Sequence, residues 1–188
     1  AWAKLATVAD LNELELDPRY VVYEIRTKFN AGTARITGVE FSARHTLERL
    51  GGWGRYFSVF ANGTKLRLEG NQSSNFSTFI PKTANWGAVF RKDRAAVTVR
   101  WNYRGEIPRT LQTSFGPDAR DYTKAVTQMD LTLEYQITRR LSFSANIKNV
   151  FNANAVRTRY GSQTPGYARQ TGTSIYGALV AAGIKGSF

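Results

Sequence analysis

Hydrophobic and polar positions alternate with period two along most of the chain. The cleanest run is Ala95 to Gly105, where Ala95, Val97, Val99, Trp101 and Tyr103 oppose Thr98, Arg100, Asn102 and Arg104. Period two marks a β-strand, whose successive side chains point to opposite faces. Lys124 to Ile137 sets Met129, Leu131, Leu133, Tyr135 and Ile137 against Gln128, Asp130, Thr132, Glu134 and Gln136. Leu141 to Asn152 sets Leu141, Phe143, Ala145 and Ile147 against Ser142, Ser144, Asn146 and Lys148. Ser174 to Phe188 carries Tyr176, Ala178, Val180, Ala182, Ile184, Gly186 and Phe188 on one apolar or small face. Ala84 to Arg91 has Trp86, Ala88 and Phe90 on one side. Arg55 to Leu68 is also a strand, with its greasy face open, since Tyr56 and Phe60 oppose Phe57 and Val59. Tyr20 to Leu47 reads as one long strand bulged at Ala31-Gly32. The prediction is seven strands.

The connections alternate in length. Residues 1–19, 69–83, 106–123 and 153–173 are long; 50–54, 92–94 and 138–140 are short. Long loops at one end and tight turns at the other are the layout of transmembrane β-barrels, with the long loops outside. The first segment is the most acidic, with a short helix expected over Leu5 to Leu16 and ended by Asp17-Pro18. Alternation alone also suits a soluble sandwich. Strand length separates the two, because the runs exceed the usual five or six residues and suit a tilted span of about 9–11. Aromatics near strand ends, including Tyr20, Trp53, Trp86, Trp101 and Phe151, fit interfacial girdles. The expected fold is all-β: an antiparallel transmembrane β-barrel segment. Seven strands leave two edges unpaired, which lipid penalises heavily, so the chain reads as part of a larger barrel.

Composition adds charge. The 188 residues carry +12 formal charge, 26 of them Lys or Arg, and no acidic residue follows Glu134. The basic residues are dispersed, with short clusters at turns (Arg91-Lys92-Asp93-Arg94, Arg139-Arg140), which argues against nucleic acid as partner. No cysteine is present, so disulfides and Cys-ligated metals are excluded. No run of 18 apolar residues makes a membrane helix, and no leader pattern opens the chain.

Candidate chemistry lies on the polar strand faces. Glu24, Arg26, Lys28, Glu40, Arg44, Arg100, Asn102, Arg104, Asp130, Glu134, Asn146 and Lys148 are the lumen-facing candidates. Asp130 and Glu134 share a face and could do acid–base work, but Arg100 and Arg104 nearby favour a salt-bridge ladder. His45 is the single histidine and has no acidic or His cluster at ligand spacing, so it is read as a strand residue near the short-turn rim. Gly51-Gly52-Trp53-Gly54 lacks the Lys and helix of a phosphate loop. No catalytic group, metal site or cofactor is expected, and the chain is not read as an enzyme.

The tail carries a resemblance. Asn149-Val150-Phe151-Asn152 ends the penultimate strand, and the last strand ends on Phe188. Upstream stand Ile36-Thr37-Gly38-Val39-Glu40 and Pro81 with Lys82-Thr83-Ala84-Asn85-Trp86-Gly87. In these motifs the chain resembles the C-terminal part of TonB-dependent outer-membrane receptors. The resemblance implies strands of a barrel of ~22, in the outer membrane of a Gram-negative bacterium. Residues 1–19 would be an extracellular loop segment and 20–188 the C-terminal strands, with the plug that engages the TonB complex lying N-terminal to this fragment. It implies uptake of a scarce nutrient, such as a ferric siderophore, and lipid as the barrel's surroundings. Tyr176, Val180, Ala182, Ile184 and Phe188 would be the signal read by the barrel-assembly machinery. The alternative is a small self-contained outer-membrane barrel, an adhesin or membrane enzyme.

Overall fold

In the computed structural model, residues 2–5, 7–27, 33–70 and 79–186 are described. They fall into two compact units. In the smaller, β1 (Trp2–Leu5) pairs antiparallel with β2 (Glu24–Thr27), with α1 (Val8–Glu13) and a 3-10 turn (Pro18–Val22) between them. Asp17 starts that turn: Arg19 donates from its backbone N and from Nη2, at 2.9 and 2.8 Å. These bonds, the side-chain one first, hold the Asp17 carboxyl below its ordinary range.

The larger unit holds β3 (Arg35–Thr46), β4 (Phe57–Glu69), β5 (Lys82–Lys92), β6 (Ala95–Arg104), β7 (Ile107–Leu111), β8 (Arg120–Thr123), β9 (Val126–Gln136), β10 (Leu141–Lys148), β11 (Ala155–Tyr160), β12 (Gln170–Ser174) and β13 (Leu179–Gly186). Seven of these form one antiparallel meander in the order β13-β10-β9-β6-β5-β4-β3. The alternation read from the sequence becomes two faces of this sheet. Val97 sits opposite Leu133, and Leu133 opposite Ala145, on one face. Asn62 sits opposite Asn85, and Asn85 opposite Asn102, on the other. That row settles β4: Phe57 and Val59 join the apolar face, while Phe60 joins the polar one. His45, opposite Val59, lies on the apolar face next to the short connection. The β5–β6 turn is two residues long, and Asp93 takes φ 51, a conformation that a short polar side chain tolerates.

Three expectations need correction. The single bulged strand over Tyr20–Leu47 is two strands in different sheets: β2 pairs with β1, β3 pairs with β4, and Tyr20 belongs to the 3-10 turn. The proposed bulge at Ala31-Gly32 lies outside the described residues. The long segments 106–123 and 153–173 are not open loops but carry a four-stranded sheet, β12-β11-β8-β7. Its order copies that of β13-β10-β9-β6, the strands these segments connect. The ladder is carried between the two sheets by Val150 N to Met129 O, 2.8 Å, and Lys124 N to Val156 O, 2.9 Å. Pro108 stands in β7, an edge strand, where its missing N–H costs least. Finally, the last strand starts at Leu179, not Ser174: Ser174 ends β12, and Gly177 turns the chain at φ 72.

Little of the molecule is core. Among the described residues the buried hydrophobics are Leu11, Ile107 and Ala119. Val39 is 73% exposed, Val180 66% and Ile184 69%, all on the apolar face. β3 and β13 each pair on one side only among the described residues, so the sheet is not closed within the chain.

Candidate functional site

The polar face of the seven-stranded sheet gathers most of the predicted lumen-facing residues. Glu40 and Arg44 come from β3; Arg100, Asn102 and Arg104 from β6; Asp130 and Glu134 from β9; Asn146 and Lys148 from β10. Glu24 and Arg26 stand on β2, which belongs to the two-stranded sheet of the other unit. Lys28 lies outside the described residues.

Two cross-strand rows organise this face. The first runs Ser42, Asn62, Asn85, Asn102, Gln128. Within it Asn85 Nδ2 donates to Asn62 Oδ1 at 3.0 Å, while Asn102 Nδ2 reaches diagonally to Asp130 Oδ2 at 2.8 Å. The second row runs Arg44, Phe60, Gly87, Arg100, Asp130. Phe60 lies over Gly87, where a Cβ would stand 2.8 Å from Phe60 Cζ and collide with the Val99 carbonyl oxygen. Arg100 sits 5.8 Å from the centroid of the Phe60 ring.

The expected salt-bridge ladder is absent. Among the described residues ion pairs join Arg19 to Asp17, Arg67 to Glu69 and Arg159 to Asp121, and none joins Arg100 or Arg104 to Asp130 or Glu134. Asp130 instead accepts from Asn102 and, through Oδ1, from the backbone N of Asn149 at 3.0 Å. Neutral donors already aimed at the carboxylate satisfy it without ordering a long, exposed arginine.

Asn149 is the residue whose role the sequence left unassigned beyond a motif match. It is buried at 6% exposure and adopts φ 55. Its Nδ2 donates to Ala153 O at 3.2 Å and to Gly177 O at 3.0 Å, and its Oδ1 accepts from Ala153 N at 2.8 Å. These are the backbone groups freed where β10 stops and β13 has not begun. Asn152 also takes a positive φ, 51. Both asparagines of the motif therefore stand where the chain needs left-handed backbone.

The four-stranded sheet is held by its own polar contacts. Arg159 Nε and Nη2 donate to Asp121 at 2.7 and 3.2 Å, and its guanidinium lies 3.8 Å from the Phe115 ring centroid. Ser162 donates from N and Oγ to Asp118, both at 2.8 Å, which lowers the Asp118 pKa, the backbone bond contributing most.

On the apolar face, Trp86 and Trp101 stack in register at 6.5 Å and 4°. At the short-turn end, Phe57 and Phe90 meet at 5.0 Å, and Lys92 Nζ lies 4.8 Å from the Trp53 ring. Among the described residues no group of three or more His, Cys, Asp or Glu could hold a metal ion.

A two-faced antiparallel meander of long strands, apolar and uncovered on one side, is the geometry of a barrel wall. A family model described as "TonB dependent receptor-like, beta-barrel" matches residues 9–150. The chain belongs to the TonB-dependent receptor β-barrel family. This family consists of outer-membrane receptors and transporters. No curated protein and no solved structure matches the chain. The family match ends at Val150, and the tail beyond it is tied to the receptor wall by β13, which pairs with β10 over Leu141 to Lys148. Of the tail residues read as an assembly signal, Val180, Ala182 and Ile184 line the apolar face opposite Ile147, Ala145 and Phe143. Tyr176 precedes the strand, and Phe188 lies outside the described residues.

Proposed function

We propose that the chain is the C-terminal part of the wall of a TonB-dependent receptor in the outer membrane of a Gram-negative bacterium. The observation that carries this is the uncovered apolar face of a sheet whose family is known. A large exposed apolar patch needs a partner, and here it is lipid. The polar face, with Glu40, Arg44, Arg100, Asn102, Arg104, Asp130, Glu134, Asn146 and Lys148, then lines the lumen. The four-stranded sheet and residues 1–19 belong to the extracellular side. The open edges at β3 and β13 pair with the remaining strands of a barrel of ~22.

The receptor's task is uptake of a scarce nutrient, driven by the TonB complex through a plug domain. The basic bias of the lining favours an anionic cargo such as a ferric siderophore. Val180, Ala182, Ile184, Tyr176 and Phe188 serve the barrel-assembly machinery. Deleting the full-length gene is expected to abolish iron-limited growth on one siderophore, and complementation is expected to fail in a strain lacking TonB. Growth unchanged on every anionic siderophore, with loss of uptake of a neutral sugar instead, sinks the cargo assignment.

A further inference from the structure

We propose that Lys65 and Lys82 form a binding site for a lipid phosphomonoester on the apolar, outward face of the wall, at the end nearer the long loops. The register places them directly opposite each other on the adjacent strands β4 and β5. Like charges directly opposite in a sheet repel and weaken the pairing, so the pair calls for an anion between them. The wall does not provide one. Both lysines are exposed, and neither has an ion-pair partner among the described residues. Their neighbours across the sheet are Val39 of β3 on one side and Gly105 on the other, whose backbone N donates to Lys82 O at 2.8 Å. Glu69, the one carboxylate of β4, is held by Arg67 at 2.7 Å. Glu106 follows Gly105 but makes no ion pair with Lys82. The connection 70–81 carries no acidic residue.

The level of the pair gives the class of anion. Toward the short turns, the same face carries Phe41, Gly63, Ala84 and Tyr103 in the next cross-strand row, then Ala43, Ala61, Trp86 and Trp101. Toward the long loops the alternation changes phase. The outward positions become Arg35, Thr37 and Arg67, while Ile36, Leu66 and Leu68 stand on the opposite face. An outward face turns from apolar to cationic where hydrocarbon gives way to headgroups. Lys65 and Lys82 stand in the row at that change. A lysine there keeps its stem on apolar surface and its ammonium among the headgroup phosphates. Gly105 leaves the flank of Lys82 without a side chain, so a headgroup can approach the pair. Two ammonium groups side by side suit a phosphomonoester, which carries close to two charges, better than a singly charged phosphodiester. The partner is therefore an outer-leaflet lipid with a phosphate monoester on its headgroup.

The inference rests on the receptor reading for the lipid that surrounds the wall. Titration of the full-length receptor in detergent with bis-phosphorylated lipid A, read by native mass spectrometry, tests it. Lipid A is expected to bind about tenfold more tightly than phosphatidylglycerol, a phosphodiester. Lys65→Gln and Lys82→Gln should each weaken lipid A binding several-fold, and the double variant should lose the preference between the two lipids. Replacing both lysines by arginine should keep it, and Arg139→Gln, at the short-turn end, should leave it unchanged. All variants should keep heat-modifiable gel mobility, because both lysines are exposed. Equal affinity of the wild type for the two lipids, or lipid A binding unchanged in the double variant, overturns the site. Outer-membrane fractionation is read in parallel: a receptor correctly placed but without the preference defeats this inference alone, and a protein absent from that membrane defeats the receptor reading.

Discussion

Asn149 shows how one side chain can hold a break in a strand. Its amide closes three backbone groups that the ends of β10 and β13 leave open, and its backbone sits at φ 55. Replacement by Ala leaves those groups unpaired and places a Cβ-bearing, non-bonding residue in the left-handed region. The expected loss is about 2–4 kcal/mol, read as a lower unfolding temperature on heat-modifiability gels and faster proteolysis between residues 153 and 178. Asn149→Gly should recover only the backbone part. Equal protease resistance in Asn149→Ala would remove this role. Gly87 is the counterpart on the wall: a Cβ there meets Phe60 Cζ at 2.8 Å and the Val99 carbonyl. Gly87→Ala should cost about 1–3 kcal/mol through overpacking, and Phe60→Ala should relieve only the ring's share, since the carbonyl cannot move away. Full rescue by Phe60→Ala would show that the backbone contact is unimportant.

At the scale of elements, the four-stranded sheet is the strand programme of the wall continued past a break. β7, β8, β11 and β12 keep the order of the strands they connect. The breaks fall at Gly105, at Lys124 and around Asn149 and Gly177, where alternation gives way to turn residues. The Asp118–Ser162 contact ties the segment after β7 to the one after β11. Its carboxyl is held below the ordinary range by the bonds from Ser162, the backbone one first. A depressed folded pKa means that the contact's contribution is complete above the unfolded value, about 3.9, and is lost as pH falls through the lower folded value. The Ser162 amide resonance is therefore expected to stay constant from neutral pH down to about 5 and to titrate only below 3.9. Asp118→Asn should abolish the titration. A midpoint at or above 3.9 contradicts the assignment.

For the whole molecule, the deciding feature is a sheet without a core. A soluble domain of this length buries a contiguous apolar cluster, whereas here the described apolar face is open from Val39 to Ile184. Spin labels placed one at a time at positions 128 to 133 of the full-length receptor in vesicles should alternate. Odd positions (with Met129, Leu131 and Leu133) should show high oxygen accessibility, and even positions (with Gln128, Asp130 and Thr132) low. A uniform profile, or the opposite phase, removes the lipid-facing assignment of the face.

The alternation of Ala95–Gly105 and Lys124–Ile137 was enough to set strand identity and face, because period two is a local property of the backbone. The same locality made six of the seven wall strands legible, along with the rim position of His45. It failed at Tyr20–Leu47, where one alternating stretch divides between two sheets, because pairing partners are not written in a strand's own pattern. It failed again in 106–123 and 153–173, whose Arg- and Thr-rich strands lack the apolar alternation that a half-buried sheet requires. The partners of Asp130 were also beyond it: charge alone points to Arg100 directly opposite, whereas the fold brings Asn102 and the Asn149 amide into hydrogen-bonding reach. Composition and period thus determined a two-faced β wall. Only the tertiary structure decided which polar groups meet across it, since those contacts depend on register between strands far apart in sequence.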